Sequence, residues 1–275
     1  MVNPWIETVS VLALAAAGVA FGRYGRRSRR CRLVGYIMPP MLLVLLLAGR
    51  TAALSDVMPW LDGLAWSRWR YAALAVVISV GLTTPLPQLA YRFEKALTCL
   101  LMALFLGRFA VTPIMSAAVV QGELAATTTR TDAQGVCRQS RDYTCLPAAA
   151  VTALNRLGLA ADEGELAVLS RSSPATGTLP LNLCQAVSSR FAKQNVYCRW
   201  TRLDSVEDVP AGAILLAQVR DSSLSDHCVA VLAADERGVT LADPARGTVV
   251  MSHSEFLGVW RHCGIVIART APRDV

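Results

Sequence analysis

Four long apolar runs fill the first 120 residues of this 275-residue chain, and the pattern changes character after them. Val9 to Phe21, with Trp5 and Ile6 ahead of it, Leu33 to Gly49, Tyr71 to Ala90 and Ala96 to Val120 come near the ~20 apolar residues that carry a helix across a bilayer. Residues 1–120 are therefore expected to form a four-helix transmembrane anchor. Pro39, Pro40 and Pro113 predict kinks that neighbouring helices tolerate. Glu7 and Arg108 are charges within the apolar runs, and Arg108 has to find helices or water, or else mark a shorter span. Ser55 to Trp69, with Trp60, Trp66 and Trp69, reads as a short interfacial amphipathic piece.

The basic residues orient the spans. Arg23, Arg26, Arg27, Arg29, Arg30 and Arg32 lie between the first two runs, and Arg92 and Lys95 between the last two. Arg50, Arg68, Arg70 and Arg130 belong to the opposite side. By the positive-inside rule the two richer loops are cytoplasmic, which puts both termini outside. The first run has no basic leading segment and no small-residue cleavage site, so it reads as a retained helix. A multi-pass protein of a bacterial inner membrane is expected, in contact with lipid, its C-terminal domain on the extracytoplasmic side. The net charge of +7 follows the same division: residues 1–120 hold twelve basic and four acidic side chains, residues 121–275 fifteen and sixteen. The excess sits in loops facing anionic lipid, and the nearly neutral C-terminal half lacks the surface of a nucleic-acid binder.

Residues 121–134 are polar and Thr-rich and read as a linker. A single domain is expected over 135–271, with 272–275 a tail. Inside it, helices at Leu146–Leu157, Asp162–Ser170 and Pro180–Ala192 precede short β-branched runs at 195–200, 213–219, 227–234, 239–242, 248–251 and 264–269. Asp162 is a plausible N-cap, with Glu163 and Glu165 in the first turn. Helices followed by an antiparallel sheet indicate an α+β fold.

Cys145 stands where the first of these helices begins, and free N–H groups with the positive end of the macrodipole favour its thiolate there. A lone cysteine before a helix is most often inert, so partners decide. His227 opens one strand and Asp243 ends the next. A hairpin turning at 235–238 would bring those ends together, Asp243 fixing the imidazole and leaving its other nitrogen for Cys145. Gln139, six residues before Cys145, supplies a neutral donor that, with the Cys145 N–H, would hold a developing oxyanion.

These residues resemble the bacteriocin-processing cysteine peptidases, family 39 of the cysteine type, and more closely membrane-fused bacterial relatives. The resemblance runs from Val136 to about Ile267. It rests on Gln139 ahead of Cys145, Tyr-Thr-Cys-x-Pro-Ala-Ala at 143–149, Glu-x-Glu-Leu-Ala at 163–167, Gly177-Thr178, His227, Asp243-Pro244 with Gly247, and Ser254-Glu255-Phe256. It implies a papain-like fold, with Cys145 as nucleophile, His227 as general base and acid, Asp243 as its orienter and Gln139 as oxyanion donor. It also implies a peptide or leader-peptide substrate and a separately encoded ABC exporter as partner, since this chain carries no G-x-x-x-x-G-K-[ST] segment. Leu146 stands where relatives that cut after a double glycine usually have Gly, and is expected to narrow the cleft. A non-cleaving peptide-binding accessory of an exporter, and a membrane subunit whose helices matter more than the domain, are the alternative readings.

No cofactor is implied. His253 and His262-Cys263 lack metal-ligand spacing. The remaining domain cysteines, Cys137, Cys184, Cys198, Cys228 and Cys263, are expected to form some disulfides in an oxidising exterior.

Overall fold

The computed structural model describes residues 4–24, 28–48, 67–221 and 226–269. Most of the Ser55–Trp69 piece, Arg26, Arg27, Arg50 and the tail lie outside the described residues. The chain divides into two compact units, Met1–Val119 and Val120–Val275.

The first unit is helical: α1 (Pro4–Tyr24), α2 (Arg29–Ala48), α3 (Trp69–Thr83), α4 (Arg92–Leu106) and α5 (Thr112–Val119). Among the described residues, four stretches are long and apolar enough to cross a membrane: Trp5–Tyr24, Arg29–Ala48, Trp69–Gln88 and Arg92–Ala125. Helix α3 packs against α1, α2 and α4. Its approach to α1 depends on missing side chains, since a Cβ at Gly18 would lie 2.0 Å from Ser79 Oγ and one at Gly22 equally close to Thr83 Oγ1. Small residues let backbones come close where apolar area alone drives no association. The buried hydroxyls of Thr83 and Thr84 turn back onto the carbonyls of Ser79 and Val80, at 2.5 and 2.8 Å.

Both charges of the apolar runs have a setting. Glu7 pairs with Arg68 at 2.8 Å, so the starts of α1 and α3 lie at the same end of the unit. Arg108 lies in a π-helical turn, Gly107–Val111, between α4 and α5. It is exposed, with its guanidinium 5.6 Å from the centre of the Phe109 ring. Pro113, which has no N–H to give, follows this turn, and Thr112 Oγ1 donates to the Gly107 carbonyl at 2.7 Å. The helix runs through Pro39 and Pro40 without ending.

The second unit begins where a linker was expected, and that expectation needs correction. Residues 121–134 contain a short helix, α6 (Gln121–Ala125), and strand β1 (Arg130–Thr131), which pairs with β2 (Cys137–Arg138). Leu124 is buried. The Thr-rich composition looked solvated, but Thr129 Oγ1 donates to Asp162 at 2.5 Å and accepts the Glu163 N–H at 2.8 Å. Side-chain hydroxyls do here what apolar periodicity does elsewhere.

Three helices follow, α7 (Cys145–Arg156), α8 (Glu163–Leu169) and α9 (Pro180–Arg190). Asp162 caps α8 by accepting from the Glu165 N–H at 2.8 Å. A six-stranded antiparallel sheet completes the unit: β3 (Tyr197–Arg202), β4 (Ile214–Arg220), β5 (Asp226–Asp235), β6 (Gly238–Asp243), β7 (Gly247–Met251) and β8 (Trp260–Ala268), in the order β3-β8-β4-β5-β6-β7. Between β7 and β8 lies α10 (His253–Val259), a helix the strand pattern did not announce. Ser252 caps it through the Glu255 N–H.

Two cores hold the sheet. On one face Leu216, Cys228, Ala230, Ala242, Ile265 and Ile267 pack with α7, α8 and α9, and every residue of α7 from Leu146 to Leu154 is buried. On the other, Val229, Val231, Leu241 and Val266 pack with Phe256 and Trp260, whose rings stack at 5.4 Å. Period-two alternation sends neighbouring residues of one strand into different cores. Helix α7 lies against β4, β5 and β6, so its N-terminus arrives where β5 begins and β6 ends.

Candidate active site

The β5–β6 hairpin turns between Asp235 and Gly238, and its ladder reaches Ala230 opposite Ala242. His227 and Asp243 lie beyond that pair, near the start of β5 and at the end of β6. The imidazole Nε2 is 2.8 Å from Asp243 Oδ1, with both side chains largely shielded, 17% and 10% exposed. The same carboxylate oxygen accepts the Ala245 N–H at 2.8 Å. Asp243 is thus fixed by its own loop before it meets the histidine. Burial opposes its ionisation, but the bonds from His227 and from the loop N–H groups overcome that and hold its pKa below the usual carboxylate value.

Cys145 occupies the first position of α7, half-buried, with its side chain beside the His227 ring. Asp243 already takes Nε2, which leaves Nδ1 for the sulfur. Burial would lower the pKa of this histidine, yet the bond to Asp243 and the closeness of Cys145 raise it to about 10. The arrangement favours a protonated His227 ring. At this helix end the Thr144 N–H is satisfied by Arg141 and Pro147 has none, so the open donors are those of Cys145 and Leu146.

Gln139 is brought in from β2. Its N–H donates to the Pro244 carbonyl at 3.0 Å, and Arg138 Nη2 donates to the Ala245 carbonyl, which ties the β2 end to the loop behind Asp243. Gly247 makes room for this. It has φ +98°, and a Cβ there would approach Arg138 Nη1 to 2.8 Å. The Gln139 Oε1 is buried with no hydrogen-bond partner among the described residues. A buried amide end left unsatisfied within the chain is available to something that binds.

The other thiols stand apart. Burial pushes Cys137 up to about 12, with Glu163 and Asp162 adding to it, and it pushes Cys228 well up as well. Cys198 is raised by a hydrogen bond with Cys184, then by burial. All eight cysteines are free, so the expected disulfides are not formed; Cys184 and Cys198 touch without bonding, and Cys137, Cys228 and Cys263 lie on separate strands. Leu146 also departs from expectation. It is 6% exposed and belongs to the α7 core, so its side chain fills the interior and leaves the cleft alone.

The Peptidase C39 family model matches residues 134–272. The chain belongs to that family. It is accordingly a cysteine peptidase, and its helix-plus-sheet unit is the C39 fold. Among curated proteins, one uncharacterised protein of Methanothermobacter marburgensis is 32% identical over 134 residues, 49% of this chain and 88% of its own. Another, from Methanothermobacter thermautotrophicus, is 31% identical over the same shares. Among solved structures, the double glycine motif protease from an AMS/PCAT transporter in complex with the leader peptide is 14% identical with TM-score 0.40, over 50% of this chain and 90% of that one. The peptidase domain of Streptococcus ComA is 20% identical with TM-score 0.40, over 48% and 95%.

Sequence reasoning singled out Cys145, His227, Asp243 and Gln139, and the fold joins His227 to Asp243 by a hydrogen bond and sets Cys145 beside His227. It missed Glu163 as a neighbour of the site. Glu163 is wholly buried and bonded to Ser140 and Thr144, between Gln139 and Cys145. In the sequence it looked like an ordinary first-turn acid complementing the helix dipole, and only the apolar run behind it hinted at burial.

Proposed function

We infer that the chain is a membrane-anchored peptidase in which Cys145 is the nucleophile, His227 the general acid and base, Asp243 the residue that orients it and Gln139 an oxyanion donor. The observation that carries this reading is the Cys145–His227–Asp243 chain at the N-terminus of α7, with its 2.8 Å carboxylate bond. The thiolate attacks the scissile carbonyl carbon. Negative charge then grows on the carbonyl oxygen, which the Cys145 N–H and the Gln139 amide receive. His227 gives its proton to the leaving amine as the C–N bond breaks, leaving a thioester on Cys145. Water, deprotonated by the now neutral His227, attacks the thioester and releases the acid and the thiol. Asp243 accepts from Nε2 throughout and keeps Nδ1 aimed at sulfur.

The substrate class is a leader or other small peptide. The solved relatives come from ABC transporters, one of them bound to a leader peptide, and an exporter encoded separately would supply such a partner here. The arginine-rich 23–32 loop supports a cytoplasmic position for that loop and, with it, an extracytoplasmic domain. An electrophilic peptide ending in Gly-Gly should label the full-length protein at one cysteine, read by intact mass and peptide mapping. Labelling that disappears in Cys145→Ala agrees with the assignment. Labelling that persists there and disappears in Cys137→Ala would overturn it.

A further inference from the structure

Between Gln139 and Cys145 the chain makes a turn that has no regular backbone ladder to set its shape. It is held instead by one carboxylate. Glu163 Oε1 accepts the Ser140 N–H at 2.8 Å and the Thr144 hydroxyl at 2.7 Å, and Oε2 accepts the Ser140 hydroxyl at 2.6 Å. Thr144 Oγ1 has a single proton, and with that proton directed to the shorter contact it accepts the Arg141 N–H at 3.1 Å. Thr144 is the N-cap residue of α7, yet its hydroxyl does not cap the helix. Both ends of the turn are therefore pinned to the same carboxylate.

Glu163 has no solvent-exposed surface. Burying a carboxylate is costly unless hydrogen bonds satisfy it, and the three donors do so. Those donors come from the two residues that flank the turn, one directly after Gln139 and one directly before Cys145. The distance between an oxyanion donor and a nucleophile must hold to within about half an ångström for both to act on one carbonyl. We propose that Glu163 is a positioning residue of the peptidase reaction: it fixes the 140–144 turn and through it the placement of the Gln139 amide relative to Cys145. The proposal rests on the roles given above to Cys145 and Gln139.

The brace continues backward. Glu163 stands at the start of α8, where its own N–H donates to Thr129 and where Gly164 allows the 124–127 backbone to lie against the helix. A Cβ on Gly164 would meet the Leu124 carbonyl at 2.5 Å. Glu123 of α6 also pairs with Arg141 inside the turn, an exposed contact of minor worth.

The test uses full-length protein in detergent and a peptidyl-Gly-Gly aminocoumarin substrate. Glu163→Gln keeps an oxygen for the Ser140 N–H and the Thr144 hydroxyl, and its amide can donate to a rotated Ser140 hydroxyl, so kcat should stay within about tenfold of wild type. Glu163→Ala should lower kcat by about a hundredfold with KM little changed, while alkylation of Cys145 by iodoacetamide keeps its pH profile, because His227 and Asp243 are untouched. Ser140→Ala removes one bond to Glu163, and Thr144→Val removes one bond to Glu163 together with the acceptor of the Arg141 N–H; each should lower kcat several-fold, and they serve if Glu163→Ala does not fold. Wild-type kcat in folded Glu163→Ala, or in both Ser140→Ala and Thr144→Val, would overturn the proposal, as would parallel loss of kcat and alkylation. Cleavage that survives Cys145→Ala would instead bring down the site assignment on which the proposal stands.

Discussion

Asp243→Asn removes one negative charge and keeps the shape of the group. Oδ1 accepts from both His227 Nε2 and the Ala245 N–H, so an amide oxygen in its place can keep both bonds. The other end fares worse, because an NH2 would face the Arg246 guanidinium, 3.9 Å from Oδ2. Burial disfavours the imidazolium, and Asp243 and Cys145 together overcome it to carry the ring from 6.5 to about 10. That rise is a preference for the charged ring of about 5 kcal/mol, shared between the two partners. Exchanging a charged acceptor for a neutral one removes about 1–3 kcal/mol of it, which lowers the ring pKa by about one to two pH units. The assay is the pH profile of kcat/KM for peptide cleavage and of Cys145 alkylation by iodoacetamide. In the wild type kcat/KM should fall as pH rises through about 10, where the proton for the leaving amine is lost, while alkylation, which needs only the thiolate, should not fall; in Asp243→Asn the limb of kcat/KM should move down by about one to two units with only a modest loss at neutral pH. Asp243→Ala also loses the orientation of the ring, so both activities should drop by about a hundredfold or more at neutral pH. An alkaline limb that does not move in Asp243→Asn would refute the claim that this carboxylate keeps His227 charged.

Gln139→Ala should lower kcat by about a hundredfold and spare KM and alkylation, since its amide meets charge that exists only in the transition state; equal loss of alkylation would show that it helps form the thiolate. Leu146→Gly should destabilise the domain by about 3–5 kcal/mol through a cavity in the α7 core and lost helix propensity, seen as a lower Tm, with KM for a Gly-Gly peptide unchanged. A lower KM would restore the idea that Leu146 narrows the cleft. Stability should also depend on pH. His227 holds its proton more tightly folded than unfolded, so its contribution is complete below pH 6.5 and is lost as pH rises through about 10. Asp243 acts with the opposite sign, its contribution present above pH 3.8 and lost as pH falls below its lowered folded pKa. Thermal melts of wild type and Asp243→Ala across both windows check this, the variant showing the weaker dependence.

Much of the molecule could be read in the chain because its patterns are local. The four apolar runs and the strand periodicities fall within a few residues of the observed elements, and Asp162 caps the helix assigned to it. The meeting of His227 and Asp243 was legible because a hairpin has few geometries, and Asp235 and Gly238 mark its turn. What stayed hidden depends on partners far apart in sequence. Glu7 waits for Arg68, sixty-one positions on, and Glu163 for Ser140 and Thr144. The ordering of Thr129 could not be read from a Thr-rich stretch, because its acceptor and donor belong to another helix. Leu146 was misplaced for a simpler reason: next to the nucleophile in sequence, it is turned onto the buried face of α7.

The strap of α6 and β1 changes what counts as one inheritable piece of this protein. The family match begins at residue 134, but Leu124, Thr127 and Thr129 are built into α8 upstream of it. Moving the recognisable segment alone onto a different anchor would leave Gly164 and the Thr129 partners facing water. A recombination or an engineered fusion that preserves the domain should therefore cross over near residue 120, where the two compact units divide, so that the fragment that travels is longer than the fragment that is recognised.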